Sequence, residues 1–296
     1  MDKHETDLFE ARRPFLTGLA YRILGSLAEA EDAVQDTWLK WQGAKRGAVS
    51  NPAAWLTTTC TRRCIDMLRS ARRARVDYVG AWLPEPIQTM TDETPESAVE
   101  LSSSLSLAFL LILERLAPKE RAAYVLREIF DQPYEDVAAT LGIQEATCRK
   151  LVSRARNRVG LAKPGSVVPK ERQEKLLAAF QEAITTGTTA QLAALMAEDI
   201  ELRTDGGGKA LALLQPLLGK AGVLSFLGET LHRSWQSFRW QPVHINGTRG
   251  ALVFDGAQIV ASISLACDGQ GRLSRVYIMR NPDKLARIGE AERRVQ

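Results

Sequence analysis

The sequence predicts a multi-domain protein in which two all-α domains, a helical bundle and a helix-turn-helix, are joined by an acidic linker and followed by an α+β domain. The length of 296 residues fits two or three domains of ordinary size. Charge is segregated along the first half of the chain, although the net charge is only +4. Near residue 165 the hydrophobic pattern changes from helical spacing to short alternating runs separated by turn residues.

The composition is that of a globular protein, with 45% hydrophobic and 25% charged residues. The longest apolar run, residues 107–113, is about a third of the length that a bilayer-spanning helix needs. The charged N-terminus is unlike a signal peptide, and four cysteines are too few for a disulfide framework. We therefore expect a cytoplasmic protein that does not bind membranes.

Two basic segments flank an acidic one. Between residues 76 and 114 there are seven acidic residues and no Lys or Arg. The preceding cluster comprises Arg62, Arg63, Arg69, Arg72, Arg73 and Arg75. The following cluster comprises Arg149, Lys150, Arg154, Arg156, Arg158 and Lys163. A charge run is often only a solvated helix face, but two basic clusters within helical patterns favour nucleic-acid binding.

The first 76 residues predict three helices. Gly25 interrupts a helical pattern that begins near residue 7, and Ser26 and Glu29 occupy capping-box positions for a second helix. After a polar loop over residues 42–50, Asn51 and Pro52 predict the N-cap and first residue of a third helix. This helix runs to about residue 75 and carries the first basic cluster.

Residues 77–104 predict a linker that is rich in proline, acidic residues and serine. Helices are predicted over residues 105–116, 119–130, 134–141 and 144–159. Because Gly142 separates a short helix from the second basic cluster, this part is a helix-turn-helix pattern. The predicted domains are residues 1–76, a linker at 77–104, a helix-turn-helix domain at 105–163 and a C-terminal domain at 164–296.

The C-terminal domain predicts helices first and strands afterwards. Helical patterns cover residues 171–185, 189–197 and 222–232. Strand patterns cover residues 238–246, 250–254, 258–266 and 273–279, with Asn-Gly and Asp-Gly turn signals between them. This order predicts a compact α+β domain.

Several stretches of the first 162 residues resemble bacterial sigma factors. They are the segments 30–38 (AEDAVQDTW), 51–56 (NPAAWL), 116–121 (LAPKER), 134–138 (YEDVA) and 153–156 (SRAR). Their order and the short acidic linker resemble the extracytoplasmic-function (group 4) sigma factors. The resemblance implies a subunit that binds core RNA polymerase at its clamp and flap regions and directs promoter-specific transcription initiation. It indicates no particular anti-sigma partner.

The remaining residues resemble the subgroup with a fused SnoaL-like (NTF2-like) extension. The resemblance rests on three motifs: Trp82-Leu83-Pro84-Glu85-Pro86, Asp205-Gly206-Gly207-Gly208-Lys209 and Asn281-Pro282-Asp283-Lys284-Leu285. It implies regulatory contacts between the extension and the sigma core or linker. From the residues alone, the glycine motif is equally a turn that needs positive φ. A phosphate loop is excluded because Ala210 follows the lysine where a hydroxyl residue is required.

The resemblance assigns roles to three further groups of residues. Asp32, Gln35 and Asp36 would bind the polymerase, although acids near a helix N-terminus are also typical of a stable solvated face. Contacts with the −10 element would come from Arg62, Arg63, Arg69, Arg72 and Arg73, with base capture by the loop at residues 42–51. We interpret Trp38 and Trp55 as core residues.

Contacts with −35 DNA would come from Arg149, Lys150, Ser153, Arg154 and Arg156. The first two could reach guanine edges in the major groove, whereas Arg154 and Arg156 are better placed for phosphates. Gln144 stands where Ser or Thr commonly caps the helix. Leu151 replaces a basic residue that is frequent in the wider family.

Other functions were weighed against this one. We expect no catalytic residue, cofactor or metal: Arg203, Asp205, His232 and His244 are not paired by spacing, and Cys60 and Cys64 lack further ligands nearby. The alternatives are a helix-turn-helix regulator that acts on duplex DNA without polymerase, and a SnoaL-like enzyme or ligand sensor fused to a DNA-binding module.

Overall fold

The computed structural model describes residues 3–44, 49–74, 78–89, 104–161 and 168–288. Contacts between residues divide the chain into two compact units. One unit contains Met1–Val76 and Ile112–Ala162, and the other contains Asp77–Leu111 and Lys163–Gln296. The two helical segments therefore form one unit together, and the linker is part of the unit that contains the C-terminal domain. None of the described helices is long and apolar enough to cross a membrane.

Most helices of the first unit begin and end close to the predicted positions, but the helix predicted over residues 119–130 is α-helical only to Tyr124 and continues as a π-helical stretch, Val125–Ile129. They are α1 Lys3–Leu24, α2 Leu27–Gln42, α3 Pro52–Ala74, α5 Pro118–Tyr124, α6 Tyr134–Leu141 and α7 Glu145–Leu161, while α4 (Leu107–Leu113) spans the boundary between the units. Ser26 and Asn51 cap α2 and α3, accepting hydrogen bonds from the backbone N–H groups of Glu29 and Ala54 at 3.3 and 3.1 Å. Gly142 adopts φ 62° between α6 and α7, which confirms the predicted helix-turn-helix.

Within this unit, α3 packs directly against α6. The hydroxyl groups of Thr58 and Thr140 lie 3.2 Å apart, and the rings of Phe15 and Phe130 meet edge to face with centroids 4.9 Å apart. Arg121 is fully buried; its Nε donates to the Arg22 carbonyl at 2.9 Å and its guanidinium pairs with Glu114. Polar contacts therefore join the N-terminal bundle to the helix-turn-helix domain.

The C-terminal domain has the expected α+β architecture. Its helices are α8 Lys170–Thr186, α9 Ala190–Leu195, α10 Lys220–Ser225, α11 His232–Trp235 and α12 Pro282–Leu285, and a π-helical turn, Phe226–Leu231, joins α10 to α11. Its strands are β1 Met196–Asp205, β2 Leu217–Leu218, β3 Arg239–Ile245, β4 Thr248–Asp255, β5 Gln258–Cys267 and β6 Leu273–Met279. They form one sheet in the order β2-β1-β6-β5-β4-β3. The prediction of a helix to residue 197 was wrong, because β1 starts at Met196 and pairs in parallel with β6.

Each face of the sheet packs against a different part of the unit. One face contributes to the main core, in which Phe180 and Trp235 are the largest side chains from the helices. The other face contributes Ile245, Phe254 and Tyr277 to a second core, and this core also contains Leu83 and Leu107. The linker is thus part of the hydrophobic structure of the C-terminal unit, since the side chain of Leu83 is 0% exposed.

Candidate functional site

The helix α7 presents to solvent a groove that is lined by polar and charged residues. Its inward face buries Cys148, Leu151, Val152, Ala155 and Val159. The outward face lines a groove of about 500 Å³ with Thr147, Arg149, Lys150, Ser153 and Arg154. Four of these five residues are predicted −35 contacts. Thr147 is the fifth, and it was missed because its position next to Cys148 carries no charge signal.

The predicted −35 residues differ in their contacts. Arg149 donates from Nε and Nη2 to Glu145 Oε1 at 2.9 and 2.5 Å. Arg156 forms a two-bond pair with Glu128 at 2.7 and 2.8 Å, and this contact raises the pKa of Arg156. Arg154 lies 3.4 Å from Glu120. All five residues, including Lys150 and Ser153, are exposed.

The helix α3 does not present its arginines uniformly. Arg62 donates from Nε to the Thr140 carbonyl at 2.9 Å and from Nη2 to the Ala139 carbonyl at 3.3 Å. Arg69 pairs with Asp66 on its own helix at 3.3 Å. Arg63 pairs with Asp36 at 2.6 Å. Arg72 and Arg73 also belong to α3, but their side chains lie outside the described residues.

The helix α2 combines acidic and apolar groups on one surface. Asp32 and Gln35 are exposed, and Asp36 is half-buried. Leu39 follows at helical spacing, one turn beyond Gln35, and is 55% exposed. Sequence periodicity assigned no role to this leucine, and only its exposure in the folded chain identifies it as part of the surface.

Two aromatic residues that could have stacked on bases instead pack within the unit. The Trp38 ring lies against Phe9 with centroids 4.7 Å apart. The Trp55 ring lies 5.4 Å from that of Trp41, which is 4% exposed. Both rings are half-buried, so Trp38 and Trp55 pack against other aromatic rings of the unit without being part of its fully buried core.

The three C-terminal motifs converge around one buried carboxylate, that of Asp205, which is 0% exposed. Its Oδ2 accepts hydrogen bonds from Lys284 Nζ at 2.7 Å and from the Leu83 backbone N–H at 2.8 Å. Its Oδ1 accepts from Tyr78 Oη at 2.6 Å and from the Gly207 N–H at 3.0 Å. We call the group of Asp205, Lys284, Tyr78 and Leu83 the linker anchor.

Lys284 completes the linker anchor from the third motif. Its Nζ also donates to the Leu83 carbonyl at 2.6 Å and lies over the Trp82 ring, 4.5 Å from the centroid. An ammonium ion that is only 12% exposed needs such partners. The remaining linker residues Pro84, Glu85 and Pro86 are also buried.

Tyr78 belongs to the linker anchor although no motif predicted it. Its hydroxyl oxygen accepts a hydrogen bond from Asn281 Nδ2 at 2.9 Å. Burial, together with the hydrogen bond to Asp205, raises the pKa of Tyr78 far above its ordinary value. The adjoining glycines have a steric role: a Cβ at Gly207, which has φ 58°, would lie 2.2 Å from Asn281 Nδ2.

The linker has a second attachment at the β3–β4 hairpin. Asn246 is 1% exposed; its Oδ1 accepts from the Ile87 N–H at 3.1 Å, and its backbone N–H donates to the Ile87 carbonyl at 2.9 Å. Thr89 N donates to the His244 carbonyl at 3.0 Å. Residues 87–89 therefore extend the edge of the sheet, with an antiparallel bridge between Gln88 and Ile245.

The polar residues weighed as catalytic candidates are not brought together. His232 Nδ1 donates to the Ile184 carbonyl at 2.8 Å, and burial lowers the pKa of His244. Asp205 is on β1 and His244 is on β3, four strand spacings or roughly 19 Å apart. Among the described residues, no group of three or more His, Cys, Asp or Glu side chains could hold a metal ion.

Comparison with known families and proteins identifies the family of this chain. The Sigma-70 region 2 family matches residues 8–74, and the Sigma-70, region 4 family matches residues 106–159. The ECF RNA polymerase sigma factor SigJ of Mycobacterium tuberculosis is 34% identical over 303 residues, which cover 99% of this chain and 96% of SigJ. The chain belongs to the ECF RNA polymerase sigma factors.

The similarity of this sigma factor to SigJ extends to structure. The crystal structure of the M. tuberculosis SigJ is matched with a TM-score of 0.73 and 31% identity, covering 95% of this chain and 98% of that one. The probable ECF RNA polymerase sigma factor SigI of the same species is 28% identical, covering 96% of this chain and 97% of SigI. The family assignment and the succession of helical domains and an α+β domain are thus confirmed. Sigma factors bind core RNA polymerase and promoter DNA, so the comparisons favour this function over that of an independent helix-turn-helix regulator.

Proposed function

We propose that this sigma factor reads the −35 element with α7, binds the −10 region with α3 and docks on the polymerase clamp through α2, with the flap region engaging the helix-turn-helix domain. The C-terminal domain regulates these steps by holding the linker. Because core polymerase acts on chromosomal DNA, we place the protein in the bacterial cytoplasm. The observation that carries the regulatory part is the linker anchor.

The groove on α7 supports the −35 assignment. The N-terminal half of a recognition helix commonly contacts base edges in the major groove. Thr147, Arg149, Lys150 and Ser153 are available for such contacts within the groove. Arg154 and Arg156 would bind phosphates, where they would exchange a carboxylate partner for a phosphate.

The contact between α3 and α6 supports an inactive free state. The −35 and −10 elements are separate segments of the promoter, and each base pair between them adds about 3.4 Å to the distance that their binding helices must span. Two of the Arg62 guanidinium nitrogens donate to the Thr140 and Ala139 carbonyls, so this arginine is not fully available to −10 DNA in the free protein. Promoter binding therefore requires α3 and α6 to separate.

The surface of α2 supports polymerase docking. Asp32 and Gln35 supply polar groups, and Leu39 adds an exposed apolar contact beside them. Interfaces combine such polar groups with a few desolvated apolar side chains. Asp36 would contribute as well, once it exchanges its bond with Arg63 for one to the polymerase.

The linker anchor gives the C-terminal domain control over the chain that joins the two DNA-binding parts. The domain holds Tyr78 and Leu83 through Asp205, and it holds residues 87–89 through the β3–β4 hairpin. A tethered second engagement depends on how far its linker can reach. Holding or releasing the linker therefore sets how readily −10 and −35 contacts form together.

We further propose that the C-terminal domain acts without catalysis. Asp205, the most deeply buried candidate, already accepts four hydrogen bonds and serves the linker anchor. Incubation of the full chain with polyketide-like substrates tests this view, and measurable turnover would contradict it.

Run-off transcription with purified core polymerase tests the proposed regulation. One truncation ends after residue 164 and removes the domain; a second ends near residue 280 and removes residues 281–296, which include the motif Asn281-Pro282-Asp283-Lys284-Leu285. Both should change transcript yield relative to the full chain, because both remove Lys284 from the linker anchor. Equal yields from all three proteins would refute regulation by this domain.

A further inference from the structure

The recognition arginine Arg149 is held by two residues outside the predicted DNA-contacting set. Its guanidinium carbon lies over the ring of Tyr134, 4.4 Å from the centroid. Its Nε and Nη2 both donate to Glu145 Oε1. Tyr134 opens α6 and Glu145 opens α7, so the two helices of the helix-turn-helix each supply one support.

Tyr134 is itself held by a second arginine, Arg127. The Arg127 guanidinium carbon lies 4.8 Å from the same ring centroid. Arg127 Nη1 donates to the Gln132 carbonyl at 2.9 Å, which ties it to the segment preceding α6. The tyrosine is half-buried, and its ring is in contact with both guanidinium groups.

Glu145 binds one edge of the Arg149 guanidinium, and this determines which edge remains available to DNA. Nε and Nη2 form the side edge of the planar group, and both point to the carboxylate. The end edge, formed by Nη1 and Nη2, has the spacing that matches O6 and N7 of guanine. A carboxylate on the side edge and an aromatic ring on the face together fix the direction of that end edge.

We propose that Tyr134 and Glu145 are positioning residues that set how strongly the sigma factor discriminates the −35 base read by Arg149. The inference rests on the proposed −35 role of α7. An arginine with free rotation loses side-chain entropy whenever it binds a base. Pre-orientation removes part of that cost for the correct base only, since the wrong base does not accept both hydrogen bonds.

The experiment measures competition between promoters that differ at each −35 position, using full-length sigma factor with core polymerase. Arg149→Ala first identifies the position that Arg149 reads. Tyr134→Leu should lower discrimination at that position by about two- to fivefold, the loss expected for an exposed cation–π contact. Its salt dependence should stay unchanged, because no phosphate contact is removed.

Replacing Glu145, the charged residue that holds Arg149, should change promoter binding in a different way from replacing Tyr134. Glu145→Gln should lower discrimination at the same position while raising affinity for all promoters, because a carboxylate that faces DNA is lost. Glu135→Gln makes the same charge change on an exposed residue next to Tyr134 and should leave discrimination unchanged. Tyr134→Phe keeps the ring and should behave as wild type.

Three results would overturn the proposal. Tyr134→Leu could weaken all −35 sequences equally, which indicates a purely structural role and would accompany a lowered Tm. Glu145→Gln could change preference at another position, which indicates direct reading of a base such as cytosine. Tyr134→Leu could also reduce discrimination further in an Arg149→Ala background, where positioning predicts no further loss. If Arg149→Ala itself alters no preference, the proposed role of Arg149 fails first, so the two failures are distinguishable.

Discussion

The Arg63 guanidinium on α3 donates to the Asp36 carboxylate on α2 at 2.6 Å. This bond joins a residue that we assign to promoter binding and one that we assign to polymerase binding. In the free protein neither side chain is fully available to its external partner. Docking of Asp36 on the polymerase would therefore release Arg63 to bind DNA.

Asp36→Asn should weaken binding to core polymerase by about tenfold, the usual loss for a hydrogen bond to a charged group. The free energy of unfolding should fall by less than about 1 kcal/mol, because the Arg63 and Asp36 side chains are 39% and 38% exposed. Competition with labelled sigma factor measures the affinity. Arg63→Gln frees Asp36 from the same pair and should therefore not weaken polymerase binding; equal losses in both variants would mean that the pair acts only by supporting the fold.

Asp205→Asn should destabilise the C-terminal unit by about 3–5 kcal/mol, since it leaves the Lys284 ammonium buried without a counter-charge. Thermal unfolding of the full chain would measure the loss. Lys209→Ala is the matched control: its bond to Asp283 joins side chains that are 57% and 62% exposed, so the cost should be below about 1 kcal/mol. If the two variants lost the same free energy of unfolding, the linker anchor would not be important for stability.

Tyr78→Phe should loosen the linker while keeping the ring in place. The variant loses the bonds to Asp205 and Asn281, at a cost of about 1–3 kcal/mol for the buried groups left unpaired. Amide hydrogen exchange at Leu83, whose N–H donates to Asp205, should become faster. An unchanged exchange rate at this amide would show that Tyr78 does not support the linker.

Arg62→Ala should favour separation of α3 from α6, because it removes two donors to the Thr140 and Ala139 carbonyls. Small-angle scattering should show a larger maximum dimension, and amide exchange at the end of α6 should accelerate. Arg69→Ala removes an equal charge from the same helix but only a local bond to Asp66. If this control expands the protein as much as Arg62→Ala does, the contact between the two helices is not the cause.

Lys150→Ala and Arg156→Ala should separate DNA binding from folding within α7. Arg156→Ala removes a proposed phosphate contact and should reduce the dependence of log affinity on log salt by about 0.9, whereas Lys150→Ala removes a proposed base contact and should mainly lower discrimination between −35 sequences. Only Arg156→Ala should also lower the Tm, since Arg156 forms a two-bond pair with Glu128. A stability loss in Lys150→Ala of the same size would show that the pair with Glu128 adds nothing to the domain.

The sequence correctly predicted those helix starts and turns that depend on interactions between residues close together in the chain. Ser26 and Asn51 mark helix starts because their side chains accept from nearby N–H groups, and Gly142 marks the turn because it adopts positive φ. The strand β1 was missed since Glu198, Asp199 and Glu201 interrupt its apolar pattern. Its pairing partner β6 lies some 70 residues later, beyond the reach of a local pattern.

The three sequence motifs identified residues that come together in the C-terminal unit, but they did not predict the contacts that these residues make. Asp205, Leu83 and Lys284 converge over sequence separations of 79 to 201 residues, which periodicity cannot predict. Tyr78 and Asn246 were missed because each is an ordinary linker or turn residue in sequence. That Arg62 on α3 faces α6 is seen only in the folded chain, because residue spacing within a helix does not predict which other helix it packs against.

The linker anchor cannot be completed until late in translation, because Lys284 is synthesised long after the linker. Lys284 follows Leu83 by 201 residues, and ribosomes add about 5–20 residues per second. Both DNA-binding segments and the linker emerge before Lys284 is made. For about 10–40 s, every newly made molecule carries its linker without the lysine that secures it, so the order of translation gives polymerase access to the sigma factor before its own restraint is complete.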